Sequence, residues 1–203
     1  MAIGRPRAFD RDEALNRALE MFWRKGYEGA SLADLTSAMG INPPSLYAAF
    51  GNKEGLFRAA LDRYMADQAV FFDQILAAPT SREVAEALLR GVADLRSDPD
   101  RPPGCLTVQG ALSGSAEAEP IRQELARRRA ATDAALRRRF ERALAEGDLP
   151  EQADPAALAR YLTTLTQGMA VQAAGGASAE DLQQVVEIAL RAWPPHAGRT
   201  GLA

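Results

Sequence analysis

Few side chains in this 203-residue chain could do covalent or metal chemistry, and they do not cluster. The single histidine, His196, follows Pro194-Pro195, and the single cysteine, Cys105, stands far from it. Neither a Cys/His metal set nor a nucleophile–base pair can be assembled from them. No phosphate-binding glycine loop, dinucleotide fingerprint or nucleophile elbow occurs, and paired carboxylates appear only as helix charges. No metal, no cofactor and no enzyme activity are therefore predicted. The polar groups that do gather lie in one stretch: Ser31, Asn42, Ser45, Tyr47 and Lys53. Hydroxyl, amide, phenol and ammonium are groups that meet phosphate oxygens and base edges.

The elements around that stretch are built to present it. Leu32, Leu35 and Met39 recur at helical period, and Ser31 with Asp34 forms a capping box at the start. Gly40 ends the helix in a turn that favours left-handed backbone. Asn42 or Pro43 caps the next helix. Because a residue before proline avoids helical ψ, Pro43 is the favoured cap and Pro44 the first helical residue. That helix ends at Phe50, Gly51 breaks it, and Asn52 caps its successor. A helix of seven residues is unstable alone. Leu46 and Phe50 can anchor it inward, leaving the other side presented. This is a helix-turn-helix, whose second helix enters the DNA major groove. Asn42, Pro44, Ser45 and Ala48 are the candidates for base-edge contact. With no arginine on this helix, a bidentate guanidinium fork to guanine is not available from it. Tyr47 suits packing with a hydroxyl aimed at phosphate. Lys53 sits unfavourably against the helix dipole at the start of the next helix, which a phosphate there would relieve. Ser31 could give a further phosphate contact beside its capping role. Arg5 and Arg7 in the N-terminal arm are candidates for phosphate or minor-groove contact.

The segments GRPRAFD, the AL, AL, FW and GYEG pattern of the first helix, SLADLTSAMGINPPSLYAAFGNKEGLF, and LDRY ending at Tyr64 closely resemble the DNA-binding domain of the TetR family of transcriptional regulators. The resemblance covers roughly residues 4 to 65. Its specific marks are Gly26-Tyr27, Gly40, Leu46-Tyr47, Phe50, Lys53 and Leu56-Phe57. One departure is Thr36, where the family often has alanine, which is expected to loosen a helix–helix contact slightly. In the family the tyrosine and lysine matching Tyr47 and Lys53 commonly touch the DNA backbone.

The remaining chain reads as all-α. Alanine, leucine, arginine and glutamate dominate and β-branched runs are scarce. About nine helices are expected: Asp10 with Glu13 boxing one that stops at Gly26, the two above, then 52–78, 81–97 capped by Ser81, 104–114, 120–146, one begun by Asp154-Pro155, and one boxed by Ser178 with Asp181. The net charge is −3. Residues 1–65 carry nine Lys and Arg against eight Asp and Glu, so the acidity lies beyond them and a few placed cations must serve the DNA. The triplets 127–129 and 137–139 are arginines interleaved with acids, which points to a solvated, ion-paired helix. Cys105 is expected to pack as a small buried hydrophobe; a redox role needs an exposed low-pKa thiolate that no neighbouring residue guarantees. One cysteine forbids an intrachain disulfide, no apolar signal segment opens the chain, and no run of 18 apolar residues exists, so a cytoplasmic setting away from membranes is expected.

The expected division is 1–65 for the DNA-binding domain with its arm, 66–195 for ligand binding and dimerisation, and 196–203 as a disordered tail. The last two helices are too apolar for one small bundle. Leu158, Leu162, Val171, Leu182, Val185, Val186, Ala189 and Trp193 are expected at a two-fold interface with a second copy, as the resemblance also implies. The family further implies a repressor released from a palindromic operator by a small hydrophobic ligand, although an activator fits the same residues. Candidate pocket residues are Phe71, Phe72, Leu95, Leu106, Gln109, Leu112, Phe140, Tyr161, Leu165, Gln167, Met169 and Gln172. An α-helical protein-interaction module without DNA function is the alternative.

Overall fold

A computed structural model describes residues 9–94, 102–110 and 115–195. Among them are nine α-helices and no strand: α1 (Arg11–Gly29), α2 (Leu32–Met39), α3 (Pro43–Phe50), α4 (Lys53–Leu76), α5 (Ser81–Asp94), α6 (Leu106–Gln109), α7 (Glu119–Ala145), α8 (Pro155–Ala174) and α9 (Ala179–Ala192). The expectations for Arg5, Arg7, Leu95, Leu112 and the tail from His196 lie outside the described residues.

Most helix starts are set by side chains that satisfy otherwise orphaned N–H groups. Asp10 accepts from Asp12 and Glu13, Asn52 from Gly55, and Asp154 from Ala156 and Ala157. Ser31 with Asp34 and Ser178 with Asp181 form complete boxes. Three expectations are corrected. Glu13 does not close a box at Asp10, because its carboxylate takes Arg17 instead. Asn42, not Pro43, caps α3: its amide oxygen accepts from Ser45 N–H at 2.9 Å and Pro43 is the first helical residue. A side-chain acceptor outweighed the conformational bias before proline. At α5 the cap is Thr80 rather than Ser81, with Thr80 and Glu83 bonded reciprocally. Ser81 N–H instead donates to Asp148 across the fold.

Two hydrophobic clusters organise the chain. The first joins α1–α3 with the first half of α4, α6 and the start of α7, around Phe22, Leu35, Leu46, Phe57 and Leu61. Within it Phe57 meets the Phe22 and Tyr27 rings edge to face. The second joins the end of α4 with α5, α7, α8 and α9, around Leu89, Leu136, Phe140, Leu162 and Val186. The rod α4, about 36 Å long for 24 residues, runs from one cluster into the other.

The arginine-rich α7 is not uniformly solvated. Arg127 and Arg137 pair with Glu124 and Glu141 in exposed positions. Arg139 is 5% exposed and donates to the carbonyls of Leu76, Ala78 and Pro79, closing the C-terminus of α4. Arg129 turns inward and donates to Thr107 O. Consecutive helical residues point about 100° apart, so one triplet serves both water and interior. Thr36, expected to loosen a contact, is buried with its hydroxyl donating to Leu32 O and Ala33 O.

Candidate nucleic-acid interface and interior cavity

Helix α3 is held by Leu46 and Phe50, buried against α4, and by turns at Gly40 and Gly51, both at positive φ. Its outer side carries Pro44, Tyr47 and Ala48 in exposed positions, with Ser45 half-buried beside them. Tyr47 is 47% exposed. Asn42 shares this side, but its amide oxygen is committed to the cap, leaving the NH2 as the outward donor. Ser31 lies exposed at the start of α2, its Oγ accepting from Asp34 N–H.

Lys53, the first residue of α4, lays its ammonium over the ring of Tyr27, Nζ 4.7 Å from the centroid. Burial pulls its pKa down and the Glu28 carboxylate partly restores it. Burial in turn raises the Tyr27 phenol, with the Glu54 charge adding to the effect. The structure adds a cation that the sequence reading did not single out: the Arg11 guanidinium lies 5.0 Å above the Phe50 ring at the end of α3. Gly55 is another addition. A Cβ there would stand 2.1 Å from the Phe50 carbonyl oxygen, so the α3–α4 corner requires glycine.

The head is tied to the body at several points. Tyr27 N–H donates to Gly110 O at 3.0 Å, and Ser115 N–H to Glu28. Arg58 bridges Glu54 and Glu124, and Arg128 bridges Asp62 and Glu124. The Arg127 and Arg128 guanidiniums hold the Glu124 carboxyl well below the usual range, at about 2.

Between the two hydrophobic clusters lies a cavity of about 430 Å³, walled by α4, α5, α6, α7 and α8. Phe71, Phe72 and Gln167 of the expected set line it. The others do not. Leu106, Phe140 and Met169 are buried in the two cores, Leu165 packs against the second, and Gln109 folds over Gly104. Tyr161 and Gln172 face outward. Helical period marks an inward face but does not distinguish core from cavity wall. The lining missed by the sequence includes Tyr64, Gly91, Cys105, Thr107, Arg129 and Thr163. Cys105 is half-buried rather than buried: its Sγ lies 3.3 Å from Tyr64 Oη and 3.1 Å from Thr107 Oγ1.

The expected interface residues divide similarly. Leu162, Leu182, Val186, Ala189 and Trp193 are buried within the chain, and Leu158 is half-buried against the same cluster. The apolar stripes of α8 and α9 are covered by α5 and α7 of the same chain. Val171 and Val185 remain exposed, joined by Tyr161 and Ile188, the last 61% exposed.

A presented two-turn helix on a compact three-helix head, joined through a rod to a cavity-bearing bundle, defines a helix-turn-helix DNA-binding regulator. Residues 14–60 match the family model for bacterial regulatory proteins of the tetR family, and residues 82–189 match the tetracyclin repressor-like C-terminal domain. The chain belongs to the TetR family of transcriptional regulators. It is 40% identical over 193 residues to the HTH-type transcriptional repressor ComR of Escherichia coli (strain K12), covering 94% of this chain and 92% of that protein. It is 33% identical over 184 residues to the repressor BdcR of the same organism, covering 88% and 86%. Among solved structures it is similar to a cysteine mutant of the TetR family regulator CifR complexed with 26-bp double-strand operator DNA. That match has 48% identity and a TM-score of 0.90, over 94% of this chain and all of that one. Among the described residues no helix is long and apolar enough to cross a membrane.

Proposed function

We propose that this chain is a homodimeric, cytoplasmic repressor that binds a palindromic operator and is released by a small ligand in the interior cavity. The observation that carries it is α3: a short helix anchored by Leu46 and Phe50, with Tyr47 exposed beside Pro44 and Ala48 and with Lys53 at the adjoining helix start. In this reading residues 1–65 form the DNA-binding domain and 66–195 the ligand-binding and dimerisation domain. Asn42, Pro44, Ser45 and Ala48 meet base edges. Ser31, Tyr47 and Lys53 meet phosphates, with the arm residues Arg5 and Arg7 reaching the duplex nearby. The exposed apolar side chains of the last two helices, Tyr161 and Val171 on α8 and Val185 and Ile188 on α9, suit an isologous contact with a second copy. Such a dimer sets two reading helices about 34–36 Å apart, one turn of duplex. A ligand releases the operator only to the extent that it binds the released state more tightly.

The test is selection of bound duplexes from a random library by the purified protein at fixed salt. Enrichment of a palindrome, lost in the Lys53→Ala/Tyr47→Phe double variant, is the expected result. Absence of enrichment by a folded dimer, with and without candidate ligands, would refute it.

A further inference from the structure

We propose that the ligand of the interior cavity is an organic monoacid: an apolar body whose single carboxylate is held by the guanidinium of Arg129. This rests on reading the cavity as the effector site.

The cavity has two chemically different ends. Toward the second cluster it is closed by Phe72, Ile75, Leu88 and Val92, which pack with that core. Toward the first cluster lie Tyr64, Cys105, Thr107 and Arg129. A ligand filling both ends is therefore amphipathic, polar toward the head and apolar away from it.

The polar end is short of an anion. Arg129 carries five N–H donors, and the bond it makes among the described residues is to Thr107 O. No carboxylate among the described residues pairs with it, whereas its neighbours Arg127 and Arg128 are both held by Glu124. A half-buried guanidinium against apolar walls gains most from a ligand carboxylate, which it can bind through two parallel N–H groups.

Among the described residues the rest of the wall offers the neutral amides of Gln68 and Gln167 but no other uncommitted cation. The Thr132, Thr163 and Thr166 hydroxyls donate to Arg128 O, to Asp133 with Arg160 O, and to Thr163 O. The Thr107 hydroxyl is engaged with Cys105. Arg128, which also lines the cavity, is occupied by Glu124 and Asp62. The carboxylate that lines it, Asp73, is exposed to water and creates no comparable demand for a cation.

The experiment is isothermal titration of the full-length protein with two acids, octanoate and 4-phenylbutyrate, and their neutral counterparts, octanamide and 4-phenylbutan-1-ol. The expected result is a preference for each acid of about tenfold or more, the scale of one charge-assisted bidentate contact. In Arg129→Gln that preference should vanish while the neutral affinities stay within about twofold. Should Arg129→Gln not fold, Arg129→Lys keeps the charge without the fork and should retain part of the preference. Equal binding of acid and neutral partner, an Arg129→Gln protein that still prefers the acid, or no acid binding at all would each overturn the proposal. Operator binding is measured separately on the selected duplex. Acid preference without DNA binding would support the ligand assignment and sink the regulator reading; DNA binding without acid preference would do the reverse.

Discussion

Replacing Lys53 by methionine should weaken operator binding in a way that salt reveals. Methionine keeps an apolar stem of similar length and removes the cation that stands over the Tyr27 ring. The fold loses a cation–π contact of about 0.5–1 kcal/mol and regains a few tenths at the dipole of α4, so the head should stay folded. On DNA the loss is larger. A charge-assisted contact of about 1.5–3 kcal/mol disappears from each of two heads, before relaxation. Each phosphate neutralised contributes about 0.9 to the slope of log affinity against log salt, so the dimer's slope should flatten by about 1.8. Between about 50 and 200 mM salt the gap between wild type and variant then narrows about twelvefold. The assay is fluorescence anisotropy on the selected duplex at four or more salt concentrations. Parallel lines, with the variant uniformly weaker, would refute a phosphate contact and assign Lys53 to packing on Tyr27 alone.

Gly55→Ala places a Cβ 2.1 Å from a backbone oxygen. It should cost about 3 kcal/mol or more and abolish DNA binding; a chemical melt within about 1 kcal/mol of wild type would contradict the close approach. Arg139→Met removes three donated bonds at the end of α4 and should cost about 3 kcal/mol in urea unfolding, with Arg139→Lys losing less. Glu124 titrates near 2 in the folded chain, below its ordinary 4.5. Its stabilisation is therefore present in full above about pH 4.5 and fades as pH falls toward 2, since the unfolded state takes up the proton first. Glu124→Gln should cost about 1–2 kcal/mol at pH 7, discounted because its arginine partners are partly solvated. That difference should shrink steadily below pH 4.5, which urea titrations across pH would read.

How much of this was legible in the chain depended on whether the deciding partner is near in sequence. The boxes at Ser31 and Ser178 and the caps at Asp10, Asn52 and Asp154 are local, and spacing reveals them. The reading helix is local too, which is why α3 and its anchors Leu46 and Phe50 could be identified. Thr80 and Ser81 are adjacent hydroxyls, and only the fold, by giving Ser81 N–H to Asp148, separates their roles. Arg127, Arg129 and Arg139 look alike in any charge pattern. What distinguishes them is Glu124, Thr107 and the end of α4, the last more than sixty residues away. The cavity was the least legible. Phe140 and Met169 have the same periodic signature as Phe72, yet the first two are core and the third is wall.

The division into two cores bears on how such a protein can change over generations. The anchors of α3 pack in one cluster, while the apolar end of the cavity belongs to the other, and α4 and α7 are the helices that enter both. Substitutions on the outer side of α3 touch neither set of packing partners, so a new operator can be acquired while the chamber keeps its shape. Conversely, the walls at Phe72, Leu88 and Val92 can be recut for another molecule without disturbing Leu46 or Phe50. A hybrid joined in the middle of α4, between Met65 and Ala69, would accordingly have to bring α6 and the start of α7 along with the head they pack against.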